Sequence, residues 1–215
     1  MAGPMLRFRA LGREDFGLLS TWLAAPHVRT WWRENDDPGS LEARYGPAID
    51  GADTTECFIV ERDGLAIGFV QRYRLKDNPE WQQALRGADV PRDGAGIDYL
   101  VGAEDRVGPG PGPGPGPGPE IIDSLVADTW ARYPEVTAIM VDVSVDNRRS
   151  WRALEKAAFV RVWSGGSSQT IRAMPGSITS ICVCGTRPRC PAVAPGRRRG
   201  ADHAPARRRR AATVV

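Results

Sequence analysis

Residues 108–119 constrain the fold more than any other segment, because they are six consecutive Gly-Pro pairs. Proline has no backbone N–H, and glycine loses much conformational freedom when it is ordered. The segment therefore cannot form a helix or an inner strand, and it is typical of a low-complexity loop. The regular elements of the chain must lie on either side of it.

Hydrophobic periodicity on both sides of this loop predicts strands alternating with helices. Strands are predicted at 6–10, 57–61, 66–73, 96–102, 136–145 and 159–163, and helices at 14–23, from 26, at 41–49, 120–133 and 147–157. Arg62-Asp63-Gly64 has the composition of a hairpin turn, whereas the polar residues 77–96 predict a long loop. This order of elements predicts a mixed α/β fold around one sheet.

Charge divides the chain into an acidic body and a basic tail. Residues 1–163 carry 19 Lys and Arg against 25 Asp and Glu, whereas residues 164–215 carry 10 Arg and one Asp. Apart from the strand-like Ile178 to Val183, the tail shows no clean hairpin, so we expect 164–215 to be a disordered basic tail. Two interpretations are open: an ending translated out of frame, or a basic arm that contacts phosphates without sequence specificity. No interleaved aromatic residues indicate specific nucleic-acid binding.

Other function classes are excluded by what the sequence lacks. It contains no run of 18 apolar residues, so we expect no membrane partner. Its first 15 residues lack the apolar core of a secretory signal, so we expect a cytoplasmic protein. Cys182, Cys184 and Cys190 have no spacing that suits a zinc site, and the chain has two histidines. We therefore expect no metal.

Six short segments, spread over residues 6–163, carry a family resemblance. They are Trp22-Leu23 with His27-Val28 and Trp31-Trp32; Gly68 to Gln71 with Tyr73; Gly96-Ile97-Asp98; Val107-Gly108 with the glycine-rich loop; Asp142 with Asp146-Asn147; and Glu155 to Ala157 with Phe159. In this order they resemble the GNAT superfamily of acyl-CoA-dependent N-acetyltransferases, and within it the aminoglycoside 6'-N-acetyltransferases. The resemblance implies a GNAT-like domain at 1–163 with a central, mostly antiparallel sheet, acetyl-CoA as co-substrate, and a monomer or homodimer.

The resemblance also implies the acceptor site. It makes Asp98 the general base that takes a proton from the attacking ammonium, and it puts Asp142 on the adjoining strand, facing the substrate. Carboxylates suit a polycationic acceptor such as an aminoglycoside, and Gln71 is expected to hydrogen-bond it. Trp31, Trp32 and Tyr73 are candidates for an apolar wall beside the sugar rings. Adjacent helical residues point about 100° apart, so we expect only one of the tryptophans to be available.

The resemblance further implies a donor site for acetyl-CoA. A glycine-rich turn before a helix binds pyrophosphate, and Gly116 with Gly118 lies directly before the predicted helix. The matching turn can also be placed at Val107 to Gly110. Asn147 is expected to contact the pantetheine arm, and the N–H groups of Leu100 and Val101 to polarise the thioester carbonyl.

Two residues depart from the family pattern. Leu154 stands where the family often has a tyrosine that protonates the departing thiolate, so solvent must supply that proton. Ala158 stands where the family usually has glycine, in a left-handed position that costs alanine roughly 1 kcal/mol. His27 is interpreted as a capping or packing residue. Three alternatives stay open: an acyltransferase for a lysine-derived siderophore precursor, a catalytically impaired paralogue, and a nucleic-acid-binding module.

Overall fold

The computed structural model describes residues 6–79, 91–102, 116–166 and 178–184. Their strands are β1 Leu6–Ala10, β2 Glu56–Arg62, β3 Leu65–Arg74, β4 Ala95–Val101, β5 Ile139–Ser144, β6 Val160–Gly166 and β7 Ile178–Cys184. Their α-helices are α1 Phe16–Ala24, α2 Pro26–Trp32, α3 Pro38–Ile49, α4 Gly118–Arg132 and α5 Arg148–Lys156. The predicted elements are thus present, with ends shifted by a few residues. The expectation that residues 108–119 form no helix is wrong for the last pair, because α4 begins at Gly118, and proline is tolerated in the first helical turn.

The strands form one sheet in the order β1-β2-β3-β4-β5-β7-β6. All neighbours are antiparallel except β4 and β5, which run parallel. The predicted hairpin between β2 and β3 is confirmed, because Asp63 and Gly64 both have positive φ, at 51° and 79°. Two such residues are what a tight hairpin turn requires. The predicted mixed α/β fold around a mostly antiparallel sheet is therefore confirmed.

Helices cover both faces of the sheet. On one face, α1, α2 and α3 bury a cluster that includes Leu19, Trp32, Tyr45, Phe69 and Leu100. On the other face, α4 and α5 bury a cluster that includes Ile97, Ile122, Leu125, Val141 and Leu154. We call these the α1–α3 face and the α4–α5 face. Along β4 and β5, the side chains alternate from one face to the other.

The parallel pair β4–β5 is short. It pairs only at Ala95 with Ile139 and at Gly96 with Met140, although both strands continue beyond these residues. By contrast, β4 pairs with β3 along its whole length. The two parallel strands therefore part in the middle of the sheet, and we call the space between their carboxyl-terminal halves the β4–β5 gap.

The sheet extends past the boundary that the sequence predicts at residue 163. β6 runs to Gly166, and β7 lies between β5 and β6, pairing with both. The expectation that the chain after Trp163 contains no hairpin is therefore wrong for 164–166 and 178–184. It failed because residues 167–177 separate β6 from β7, so no short turn sequence indicates their pairing. The expected disorder of 167–177 and 185–215, and most of the predicted loop at 77–96, lie outside the described residues.

Two further properties concern the helices. Ala158, which follows α5, has φ of 61°, so the predicted left-handed position is confirmed. In the described part of the chain, no helix combines the length and apolar character that crossing a membrane requires.

Candidate functional site

Two carboxylates lie on the same face of the sheet on either side of the β4–β5 gap. Asp98 and Leu100 are two residues apart on β4, so their side chains point to the same face of the sheet. Leu100 packs on the α1–α3 face. Asp142 lies between Val141 and Val143, which pack on the α4–α5 face, so its own side chain points to the α1–α3 face. Both aspartates are half-buried. The β4–β5 register, continued by two residues, would set them opposite each other, and the parting of the strands opens the space between them.

Gln71 lies directly beside Asp98 in the sheet. The two residues are Cα partners across β3 and β4, and Gln71 Nε2 donates to Asp98 Oδ2 at 2.7 Å. The Gln71 side chain is only 1% exposed. This burial argues against the expected direct bond from Gln71 to an acceptor and places Gln71 behind Asp98. The sequence does not show this contact, because it depends on which strand pairs with β3.

Trp31 and Trp32 differ in exposure, as adjacent positions on a helix are expected to. Trp32 is buried and packs edge-on against Phe69, with ring centroids 5.9 Å apart, whereas Trp31 is 38% exposed. Trp31 is therefore the tryptophan that an acceptor can reach. Tyr73 is also buried, at 4% exposed, and its ring covers the position that a side chain at Gly96 would occupy. Glycine at 96 thus makes room for the ring, and Tyr73 offers little surface to a ligand.

Backbone hydrogen bonds show which amides of β4 face the gap. Gly102 N donates to Ile67 O on the β3 side, and Ala95 N donates to Ala138 O on the β5 side, both at 2.9 Å. Because successive amides of a strand point to opposite edges, Val101 faces the gap and Leu100 faces β3. Of the two N–H groups expected to polarise the thioester carbonyl, that of Val101 therefore points into the gap and that of Leu100 does not.

The end of β4 is also contacted from the α1–α3 face. His27 Nε2 lies 3.1 Å from Val101 O, to which it can donate, and the Trp22 ring occupies the place of any side chain at Gly102. His27 thus connects α2 to the mouth of the gap across 74 residues of sequence. The sequence indicates a capping or packing role for His27 but not its partner, because the two segments are distant in the chain.

The amino terminus of α4 alternates proline with residues that keep their N–H. Gly118 and Glu120 retain a donor, whereas Pro117 and Pro119 have none. The Glu120 carboxylate, which would oppose an anion here, is paired with Arg62 at the end of β2. Gly118 also lies within 3.7 Å, measured from the place of an added Cβ, of the Ala153 side chain on α5. This turn therefore offers an anion two helix-terminal donors.

Asn147 caps α5, because its Oδ1 accepts a hydrogen bond from Ser150 N at 3.1 Å. A cap at this position leaves the amide nitrogen as the group with which Asn147 can contact a ligand. The Tyr99 hydroxyl of β4 lies 2.5 Å from Ser150 Oγ, so β4 also contacts the first turn of α5. Leu154, one turn further along, is fully buried and offers no proton donor.

A carboxylate that the sequence does not single out, Glu34, contacts the buried Tyr45. Glu34 follows α2, and its carboxylate accepts from the hydroxyl of the buried Tyr45 and pairs with Arg44 at 3.5 Å. Arg33, with φ of 53°, turns the chain between α2 and Glu34. No local pattern indicates this arrangement.

Within the described ranges, no three His, Cys, Asp or Glu side chains gather as ligands of a metal would.

A separate charged cluster joins α4 to the sheet. Arg72, almost fully buried, bonds Glu56 at 2.6 Å and also pairs with Asp128. Burial opposes ionisation of Glu56, but hydrogen bonds from Tyr133 and Arg72 outweigh it, so the pKa of Glu56 is lowered. Burial and the bond to Glu56 raise the pKa of Tyr133 to about 12. These charges satisfy one another, and we assign the cluster a structural role.

Several solved structures share this fold. An aminoglycoside acetyltransferase AAC(6')-Ib in complex with coenzyme A is 23% identical, with a TM-score of 0.67 over 84% of this chain and 95% of its own. The same enzyme with coenzyme A and kanamycin is 24% identical, with a TM-score of 0.66 over 84% and 95%. A spermidine N-acetyltransferase from Vibrio cholerae, with CoA and spermine, is 16% identical, with a TM-score of 0.62 over 84% and 95%.

These likenesses concern the fold, and no protein in the curated collection of sequences matches the chain. A family profile does match, described as an acetyltransferase (GNAT) domain, and it covers residues 12–164. That range includes α1 to α5 and both sides of the β4–β5 gap. The chain therefore belongs to the GNAT acetyltransferase family.

Proposed function

We propose that this acetyltransferase transfers acetyl from acetyl-CoA to the 6'-amine of an aminoglycoside. The observation that carries the proposal is the pair of half-buried carboxylates, Asp98 and Asp142, on one face of the sheet at the β4–β5 gap. Two carboxylates there favour a polycationic acceptor over a neutral amine. The exposed Trp31 supplies an apolar surface of the kind on which sugar rings stack.

Asp98 is the proposed general base. A primary amine is an ammonium at neutral pH, and it must lose one proton before its nitrogen can attack a carbonyl carbon. Asp98 accepts that proton, directly or through one water. The new C–N bond then forms as the C–S bond breaks, and the nitrogen releases its second proton to solvent. Leu154 cannot donate a proton, so the departing sulfur takes its proton from solvent. Asp142 holds a positive charge of the acceptor.

The residues on the α4–α5 face fit the donor. When bound, acetyl-CoA supplies its acetyl group as a thioester. Gly118 and Glu120 at the amino terminus of α4 would hold the pyrophosphate, with Gly116 beside them. Arg62 pairs with Glu120, so that carboxylate does not repel an anion there. The Asn147 amide nitrogen would contact the pantetheine arm, and the Val101 N–H would polarise the carbonyl.

Acetyl transfer to kanamycin and tobramycin, measured by product mass, tests the proposal. We expect one acetyl group per acceptor, and a rate lowered by about 100-fold or more in Asp98→Asn, because the base is lost. Asp63→Asn, at the exposed β2–β3 turn, is the matched control and should retain the wild-type rate.

The same assay includes two other amines. Spermidine is one, because a structural neighbour acts on it, and a lysine-derived siderophore precursor is the other. If either is acetylated while both aminoglycosides are left unmodified, the aminoglycoside assignment is wrong and the acceptor is identified directly. If none of the four is acetylated, calorimetric titration with CoA distinguishes a donor site that fails to bind from an acceptor outside the set.

A further inference from the structure

A row of three residues crosses the sheet beneath the acceptor face. Cys57 on β2, Gln71 on β3 and Asp98 on β4 are successive Cα partners, so their side chains share the α1–α3 face. Cys57 is 8% exposed and Gln71 1% exposed, whereas Asp98 is half-buried. Of the three, Asp98 is thus the residue that an acceptor can reach, and Gln71 lies next to it in the interior.

The orientation of the Gln71 amide follows from Asp98. Its Nε2 donates to Asp98 Oδ2, while its Oε1 is buried with no hydrogen-bond partner among the described residues. Turning the amide over would place Oε1 against a carboxylate oxygen, so two acceptors would repel each other. Keeping the bond to Asp98 therefore leaves a buried acceptor unpaired, which is unfavourable by itself. The bond to Asp98 decides the orientation.

We propose that Gln71 is a positioning residue that fixes the rotation of the Asp98 carboxylate, an inference that rests on the proposed function. With Oδ2 held by Gln71, Oδ1 is left as the oxygen that meets the amine. No other hydrogen bond to the Asp98 carboxylate occurs in the described part of the chain. A general base that turns freely spends part of its time misdirected, and displacements of about 1 Å can cost 10²-fold in rate.

Gln71→Met tests this role in the full-length protein, because methionine keeps the length of the side chain and removes the donor. We expect kcat to fall about 10-fold, with KM changed by less than about twofold, because the acceptor itself does not touch Gln71. In an Asp98→Ala background, Gln71→Met should cause no further loss, since it acts through Asp98. Cys57→Ala, the equally placed neighbour on β2, is the control and should leave kcat within about twofold.

Two measurements do not depend on activity. In ¹⁵N-labelled free protein, the Gln71 side-chain amide should be protected from solvent exchange, and Asp98→Ala should shift it and remove that protection. Gln71→Met should keep the melting temperature within about 3 °C of wild type, because it also removes the unpaired Oε1. The proposal would be overturned if Gln71→Met lowers kcat as much in the Asp98→Ala background as in wild type. It would also be overturned if Asp98→Ala does not change the Gln71 amide signal. A wild type that acetylates no amine would refute the proposed function, and the amide signal would still decide whether Gln71 holds Asp98.

Discussion

Ala158 holds a backbone conformation that favours glycine. Its φ of 61° lies in the left-handed region, directly after α5, where an L-residue is less favourable by about 1–2 kcal/mol. Glycine avoids that strain but loses more conformational freedom on folding. We expect Ala158→Gly to raise the free energy of unfolding by about 1 kcal/mol, measured by urea denaturation.

Ala157 supplies the matched control for this prediction. Its φ is −86°, so glycine gains nothing there and costs conformational entropy. We expect Ala157→Gly to lower the free energy of unfolding by about 0.5–1 kcal/mol. If both variants change stability in the same direction, the sign of φ at residue 158 is not the cause.

The same contrast separates what the sequence predicts at a residue from what it cannot. The different exposure of Trp31 and Trp32 follows from helix geometry within a few residues, whereas the left-handed position of Ala158 is implied by the resemblance to a family. The bond between Gln71 and Asp98 joins residues 27 apart, and it depends on strand pairing. For side chains in a sheet, the sequence therefore predicts which chemical group is present but not which residue it contacts.

Among the elements, α4 permits the most specific prediction, because its first turn lacks one backbone N–H donor. Pro119 occupies the second helical position, where another residue would present an N–H to an anion. We expect Pro119→Ala to tighten CoA binding about tenfold, because one more hydrogen bond to a charged group is worth at least about 1.4 kcal/mol. Isothermal titration calorimetry with CoA measures this change.

Pro38, in the first turn of α3, is the control for that substitution. It also lies at the start of a helix, but on the opposite face of the sheet from α4. Pro38→Ala should leave CoA affinity unchanged. If Pro119→Ala also leaves it unchanged, the pyrophosphate does not bind at this turn, and the alternative position at Val107 to Gly110, outside the described residues, is favoured.

Element types are easier to predict than their arrangement. The Asp63-Gly64 turn and the amphipathic α4 carry local signals, and both are present where the sequence predicts them. The β4–β5 gap carries no signal in hydrophobic pattern or turn chemistry, because it consists of pairing that stops. Its physical basis is the short β4–β5 ladder, which only the structure shows.

The whole molecule is completed by a strand that the sequence marks weakly. β7 is the last strand along the described part of the chain. It lies between β5 and β6 and so joins β6 to the rest of the sheet. The structural neighbours cover 84% of the chain, which is about 181 of its 215 residues. The basic tail beyond β7, 185–215, contains nine Arg and one Asp.

Two truncations test this division of the chain. A protein ending at Cys184 keeps every described strand, and we expect its melting temperature to lie within about 3 °C of the full-length value. A protein ending at residue 177 loses β7, which leaves β5 with an unpaired edge and separates β6 from the sheet. β7 pairs along six residues of β5, including Asp142. We therefore expect this protein to aggregate, or to have a melting temperature at least 10 °C lower, which corresponds to a loss of about 3 kcal/mol or more in the free energy of unfolding. Equal melting temperatures for the two truncations, measured by circular dichroism, would show that β7 is not needed to stabilise the sheet. A large loss on removing 185–215 alone would instead show that the basic tail contributes to the folded molecule.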